Sequence, residues 1–179
     1  MILLKEQELF AKSELQMNVL YGDQGVGKTV ACLSRLYTLL LKPNRTIGFV
    51  CVNKLAQEET FEVVKEALKG REISIDFSNL AITSLDFKSS VYFLDSEKVN
   101  KHTSLRVTDC IVDNADQMSN EALTCTLIMT RSYSHETTLA YTSRIYTDKI
   151  ESLQHCYSLD VNTLTLYIRH PYFNPFQKV

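Results

Sequence analysis

The chain has 179 residues, of which 45% are hydrophobic, and its net charge at pH 7 is −2 with histidine neutral. This charge gives no overall electrostatic basis for binding nucleic acid or a membrane, so a nucleic-acid partner would require a local basic patch or a ring that concentrates one. No apolar run approaches the roughly 18 residues of a membrane-spanning helix, and we expect no membrane partner.

The predicted elements alternate between short apolar strands and amphipathic helices. The predicted strands are residues 17–22, 46–52, 72–77, 91–95, 108–113, 138–143, 156–161 and 164–168. The predicted helices are residues 28–42, 55–70, 120–131 and 148–154, with Ser119 as the N-cap of the third. This alternation predicts one α/β domain over residues 1–179, with a mostly parallel central sheet. We expect residues 169–179 to form a lid over the core or a docking tail.

The five cysteines are an odd number and include no C-x-x-C pair. Together with the absence of a secretory signal pattern, this predicts reduced, buried thiols and a cytoplasmic protein, in the host cell if the protein is viral. The four histidines show no metal-ligand spacing, so we expect no histidine or cysteine metal site.

Residues 22–29 fit the pattern G-x-x-x-x-G-K-[ST] between a predicted strand and a predicted helix. The segment consists of Gly22, Asp23, Gln24, Gly25, Val26, Gly27, Lys28 and Thr29. Its glycines allow backbone N–H groups to point at phosphate oxygens, and the helix N-terminus adds partial positive charge. Lys28 is expected to reach the β- and γ-phosphates, and the Thr29 hydroxyl is expected to ligate Mg²⁺. The segment therefore predicts a site for ATP and Mg²⁺.

A second element of such a site follows the predicted strand 108–113, whose apolar residues lead into Asp113. Asp113 is expected to hold Mg²⁺ directly or through water, although an aspartate at a strand end also serves as a turn or cap residue. Asn114 follows it, and a carboxamide hydrogen-bonds water but takes no proton. Either Asp116 acts as the base, or hydrolysis is slow, or a partner supplies the catalytic group that Asn114 cannot provide.

The predicted strand 138–143 supplies a third element, because it ends in Thr142 and Ser143 and is followed by Arg144. One of the two hydroxyl residues is expected to sense the γ-phosphate, and Arg144 to contact phosphate in its own or a neighbouring subunit. The alternative is that residues 142–144 are only a solvated strand end. Arg106 and Arg131 are the other candidates for an arginine that acts on a neighbouring subunit.

Gln7 lies upstream of the phosphate-binding pattern and has two interpretations. Its place is similar to that of a glutamine that reads the adenine edge in many P-loop helicases and terminases, and this resemblance implies the same role. The alternative is a surface glutamine on a short helix.

Four segments, in this order, resemble the ATPase domain of viral DNA-packaging motors: phage terminase large subunits and the smaller packaging ATPases related to the FtsK/HerA translocases. The segments are residues 22–29, 52–68, 103–118 and 138–144. The resemblance extends from about Gln7 to Ile168. Only the phosphate-binding pattern is highly specific, and the order of the rest is shared with superfamily 1 and 2 helicases.

The resemblance implies a three-layer P-loop NTPase fold of the ASCE/RecA-like type, with helices on both faces of the sheet. It also implies ATP-driven translocation of double-stranded DNA into a capsid by a homo-oligomeric ring, with a viral portal or capsid partner. The sequence departs from the family pattern at Asn114, where a glutamate is usual, and at Arg144, where the smaller packaging ATPases often carry glutamine. It also lacks the nuclease domain of a full terminase, so we expect either a fragment or a small stand-alone motor.

Two other functions compete with the motor. One is a helicase-like or nucleotide-switch ATPase, or a loader, with weak intrinsic hydrolysis, which Asn114 favours. The other is a small-molecule or nucleotide kinase, which we rank last because the arginines are scattered instead of forming a lid segment.

Overall fold

The computed structural model describes residues 3–130, 138–144, 148 and 163–168. Within these ranges the strands are β1 (Met17–Gly22), β2 (Thr46–Cys51), β3 (Ile73–Asp76), β4 (Ala81–Ser84), β5 (Ser89–Asp95), β6 (Asp109–Val112), β7 (Thr138–Ser143) and β8 (Thr163–Ile168). The α-helices are α1 (Lys5–Lys12), α2 (Lys28–Leu40), α3 (Lys54–Ala67) and α4 (Asn120–Thr130), and 3₁₀ turns span Val99–His102 and Ala115–Gln117.

The eight strands form one sheet in the order β3-β4-β5-β2-β6-β7-β1-β8. In this spatial order, every neighbouring pair from β5 to β8 is parallel. The pairs β3–β4 and β4–β5 are antiparallel. The prediction of a mostly parallel sheet is therefore confirmed. Because parallel strands end at a common edge, the ends of β1, β6 and β7 bring the three predicted site elements together.

Alternate side chains of the central strands pack on opposite faces of the sheet. On one face Ile47 and Phe49 of β2 belong to the same core as Leu36 of α2 and Phe61 of α3. On the other face Val50 packs in a second core, which includes residues of α4. Helices thus cover both faces of the sheet, and the predicted three-layer architecture is confirmed.

Strand β4 was not predicted from the sequence, and it forms a hairpin with β3 at the edge of the sheet. This strand has four residues and owes its stability to pairing with β3 on one side and β5 on the other. The Asp76 carboxylate closes the hairpin turn by accepting the backbone N–H groups of Ser78 and Asn79. A strand this short carries too little periodicity to be recognised without its partners.

Two further predictions, the N-cap of α4 and the buried cysteine thiols, are confirmed for the residues that the structure describes. Ser119 caps α4 as predicted, since its hydroxyl accepts the Ala122 N–H at 3.1 Å. Cys32, Cys51, Cys110 and Cys125 are buried free thiols, as predicted. Among the described residues, no helix is long and apolar enough to cross a membrane. Several predictions fall outside the described residues. They concern Cys156, Arg131, the strand 156–161, the tail 169–179 and the helix 148–154, of which only Asp148 is described.

Candidate functional site

The phosphate-binding pattern forms the turn between β1 and α2, with glycine at two positions where a side chain would not fit. Gly27 precedes the first residue of α2 and has a left-handed φ of 81°. Gly22 ends β1 so close to β8 that an added Cβ would overlap the carbonyl oxygen of Ile168. The backbone can therefore pass tightly around the N-terminus of α2, where a phosphate group would be bound.

Lys28 begins α2 and folds back over this turn. It is only 6% exposed, and its Nζ donates to the carbonyl oxygens of Gly22 and Asp23, both at 2.7 Å. Burial lowers the pKa of Lys28, and the nearby Asp116 and Asp113 carboxylates oppose that shift. The Lys28 ammonium group is thus held inside the turn by two backbone carbonyl groups.

Asp113 directly follows β6 and is 8% exposed. One of its oxygens, Oδ2, accepts the Thr29 hydroxyl at 2.7 Å, and Oδ1 accepts the Thr142 hydroxyl at 2.6 Å. The Cys32 Sγ lies 3.9 Å from Oδ1, and burial raises the pKa of that thiol well above its usual value. A hydroxyl oxygen and a carboxylate oxygen beside the phosphate-binding turn are the hard ligands that Mg²⁺ prefers, so this pair of residues fits the ion.

Thr142 also fixes the residue after Asp113. The Asn114 N–H donates to the Thr142 hydroxyl at 2.9 Å, and Asn114 adopts a left-handed conformation with φ 59° and ψ 52°. The next residue of the strand, Ser143, is fully buried. A role of Thr142 or Ser143 in sensing the γ-phosphate stays a prediction, because Thr142 here holds Asp113 and Asn114 in place.

These elements surround a polar cavity of about 360 Å³. The residues that line it are Gln24, Gly25, Gly27, Lys28, Thr29, Val30, Asn114, Gln117 and Arg144. The structure therefore brings the phosphate-binding turn, the residue after Asp113 and Arg144 to one place. Gln117 was missed by the sequence analysis, although it follows Asn114 by three residues, one turn of a 3₁₀ helix.

Asp116 and Arg144 are joined at the edge of this cavity. The backbone N–H of Arg144 donates to Asp116 Oδ1 at 3.1 Å, which links the end of β7 to the 3₁₀ turn after β6. Arg106, a rival candidate for the trans-acting arginine, is exposed in the segment before β6 and donates to the Thr103 carbonyl oxygen at 2.5 Å. Which arginine acts on a neighbouring subunit stays a prediction.

Gln7 lies on α1 behind the phosphate-binding turn and is 5% exposed, so its interpretation as a surface glutamine is wrong. Its Nε2 donates to the carbonyl oxygens of Val26 at 3.0 Å and Gly27 at 3.1 Å, and its Oε1 accepts the Leu4 N–H at 2.8 Å. Both amide hydrogens are therefore used within the protein, and recognition of adenine by Gln7 stays a prediction. The contacts instead anchor the phosphate-binding turn to α1.

Replacing Gln7 with alanine is expected to lower the free energy of unfolding by about 1–3 kcal/mol, because it removes two hydrogen bonds to the turn and one to Leu4. Urea unfolding followed by circular dichroism measures the change. Glu8→Ala is the matched control, since Glu8 is exposed on the same helix and its ion pair with Lys12 is worth little. Equal stability of the two variants would show that the anchor contributes nothing.

The fold resembles those of solved structures that include a large terminase, a DNA packaging motor and a DEAD box protein. The large terminase of the thermophilic bacteriophage D6E superposes with a TM-score of 0.72 at 15% identity, over 93% of this chain and 46% of the terminase. The Phi-28 gp11 DNA packaging motor superposes with a TM-score of 0.53 at 15% identity, over 93% of this chain and 60% of the motor chain. A DEAD box protein from Methanococcus jannaschii superposes with a TM-score of 0.60 at 18% identity, over 90% of this chain and 48% of the DEAD box protein.

The fold is therefore that of a three-layer P-loop NTPase of the terminase type, and the resemblance predicted from the sequence is confirmed at the level of fold. The chain spans less than half the length of the D6E terminase, which has been solved with ADP and with ATP-gamma-S. No protein-family model matches the chain. A search of curated proteins gave no significant match.

Proposed function

We propose that the chain is an ATP-hydrolysing motor domain that couples hydrolysis to translocation of double-stranded DNA, in the packaging of a viral genome. The observation that carries the proposal is that Lys28 and Thr29 line one cavity at the carboxyl edge of the sheet, while Asp113 is hydrogen-bonded to the Thr29 hydroxyl behind it. The likeness to terminase and packaging-motor folds supports it. ATP is the substrate, and Mg²⁺ is the ion that this chemistry requires.

The roles of the binding residues follow from their contacts. The turn 22–29 and the N-terminus of α2 bind the phosphates through backbone N–H groups. Lys28 exchanges the carbonyl oxygens of Gly22 and Asp23 for oxygens of the β- and γ-phosphates. Thr29 and Asp113 would hold Mg²⁺, the latter directly or through water. When bound, this ion neutralises charge that develops on the phosphate oxygens.

A homo-oligomeric ring would let an acidic chain act on DNA, because a few lysines that face a common lumen suffice locally. Arg144 lies at the cavity and would contact the γ-phosphate of its own site or of a neighbouring subunit. Such an arginine stabilises the charge of the transition state. A viral portal or capsid is the partner that this activity would require.

A second function is favoured by one observation. Among the described residues that line the cavity there is no carboxylate, and Asn114 occupies the position after Asp113. Without a carboxylate at the cavity to accept a proton from the attacking water, hydrolysis loses the contribution of a general base. The alternative is thus a nucleotide switch or loader that binds ATP and hydrolyses it weakly.

ATP turnover by the purified chain, measured with and without long duplex DNA, separates these functions. For a motor we expect duplex DNA to raise turnover about 5-fold or more, within the usual range of coupling between two sites. Single-stranded DNA and duplex RNA of equal length are the matched controls for the polymer. Flat turnover with duplex DNA would overturn the motor proposal, and tight ATP binding without turnover, even in the assembled state on DNA, would favour the switch.

A further inference from the structure

We propose that Gln117 is a catalytic residue, whose carboxamide holds the attacking water against the γ-phosphate together with that of Asn114. The inference rests on the proposed ATPase function and names the group that replaces the missing carboxylate. Both residues line the cavity beside Lys28 and Thr29.

The local backbone holds Asn114 and Gln117 close together. Asn114 precedes the 3₁₀ turn Ala115–Gln117, and the Gln117 N–H donates to the Asn114 carbonyl oxygen at 3.0 Å. Thr142 fixes the start of this turn through the Asn114 N–H. Asn114 and Gln117 thus flank one short turn, and both border the cavity.

The carboxylates of the region are held by other groups. Asp113 accepts the hydroxyls of Thr29 and Thr142, and Asp116 Oδ1 accepts the Arg144 N–H. Gln117, in contrast, is exposed and borders the cavity, so its side chain is free to turn toward a bound substrate. Of the described groups that border the cavity, Gln117 and Asn114 are thus suited to bind water beside the γ-phosphate.

A carboxamide both donates and accepts hydrogen bonds, so two of them can fix the orientation of one water molecule. A glutamine that orients the attacking water has precedent in GTPases. The water oxygen forms a bond to the γ-phosphorus, and the bond to the β,γ-bridging oxygen breaks with its electron pair leaving on ADP. Because neither carboxamide takes a proton, the proton from water passes to an oxygen of the γ-phosphate, which leaves as inorganic phosphate.

The test compares ATP turnover by the full chain with that of Gln117→Ala, with duplex DNA present. We expect kcat to fall at least about 10-fold, since loss of one positioned hydrogen-bonding group at a transition state is costly. KM and the affinity for a fluorescent ATP analogue should change less than twofold, because the phosphates are bound elsewhere. Asn120→Ala is the matched control, as Asn120 is an exposed carboxamide three residues on that does not line the cavity.

Gln117→Glu separates catalysis from structure. A carboxylate here can orient the water and also accept its proton, so kcat should exceed that of Gln117→Ala. Its kcat should fall more steeply in acid than that of the wild type, because it adds a carboxyl group with an ordinary pKa of about 4.3 to the carboxylates that both proteins share. Wild-type turnover that is unchanged in Gln117→Ala would overturn this inference alone. A wild type that binds ATP without turnover would overturn the proposed ATPase function as well.

Discussion

ATP turnover is expected to fall at least about 100-fold in kcat/KM when Lys28 is replaced by alanine. Lys28 is the cation at the turn that begins α2, and it is held there at 6% exposure by hydrogen bonds to two loop carbonyl groups. Because Lys28 is largely shielded from solvent, its charge is worth more to a phosphoryl group than it would be in bulk water. Its removal leaves the charge on the γ-phosphate without its nearest protein cation.

The same burial predicts that the variant stays folded. Burial lowers the pKa of Lys28, which means that burying its charged form costs free energy in the protein without nucleotide. Replacement by alanine removes this desolvation cost. The lost hydrogen bonds to Gly22 and Asp23 offset the gain. We therefore expect the free energy of unfolding to change by about 1 kcal/mol or less.

A coupled phosphate-release assay and urea unfolding measure the two quantities on the same preparations. Lys69→Ala is the matched control, since Lys69 is an exposed lysine whose ion pair with Glu66 contributes little. Turnover of Lys28→Ala within a few-fold of the wild type would contradict the assignment of the turn 22–29 as the phosphate site. Loss of turnover together with loss of folding would contradict the prediction for stability.

Most of the fold could be predicted because its signals are local. Buried parallel strands appear as continuous apolar runs, and the glycine-rich turn specifies both a strand before it and a helix after it. The missed strand β4 depends instead on neighbours, since it gains stability only by pairing with β3 and β5. Pairing between segments cannot be seen in a window of four residues.

The candidate site was predicted where a residue type alone specifies the chemistry. Lys28, Thr29 and Asp113 belong to recognisable patterns, and they meet in the structure. Gln7 and Gln117 belong to no such pattern, because a glutamine acquires a role only through its surroundings. The burial of Gln7 against the Val26 and Gly27 carbonyl groups comes from the packing of α1 on α2, which no pattern around residue 7 encodes.

Arg35 is a buried charge that the sequence does not reveal, as it lies among apolar residues of α2. It is 1% exposed, and its Nη1 donates to the carbonyl oxygens of Phe10 at 2.7 Å and Ser13 at 3.0 Å. Its Nη2 donates to the Thr138 hydroxyl, which in turn donates to the fully buried Asp109. Residues 103 positions apart in the chain thus form one network, which joins α1 and α2 to the starts of β6 and β7.

Replacing Arg35 with methionine is expected to lower the free energy of unfolding by about 3–5 kcal/mol. The change keeps the volume and apolar stem but leaves the Phe10 and Ser13 carbonyl groups without their donor. It also deprives Asp109 of a buried cation, which leaves Arg45 at 3.6 Å as its partly exposed ion-pair partner. Burial lowers the pKa of Arg35 to about 10, so the group is charged at neutral pH and this loss applies there.

Urea unfolding at pH 7 measures the effect, and Arg71→Met, at an exposed arginine after α3, is the matched control. Arg35→Lys is expected to lose less than Arg35→Met, since it keeps the charge but not the planar group that donates to three acceptors. Adding Asp109→Asn to Arg35→Met should recover part of the loss, because it removes the carboxylate left without its cation. If the double variant is no more stable than Arg35→Met, the charge of Asp109 is not part of the cost, and the network acts only through its hydrogen bonds to α1.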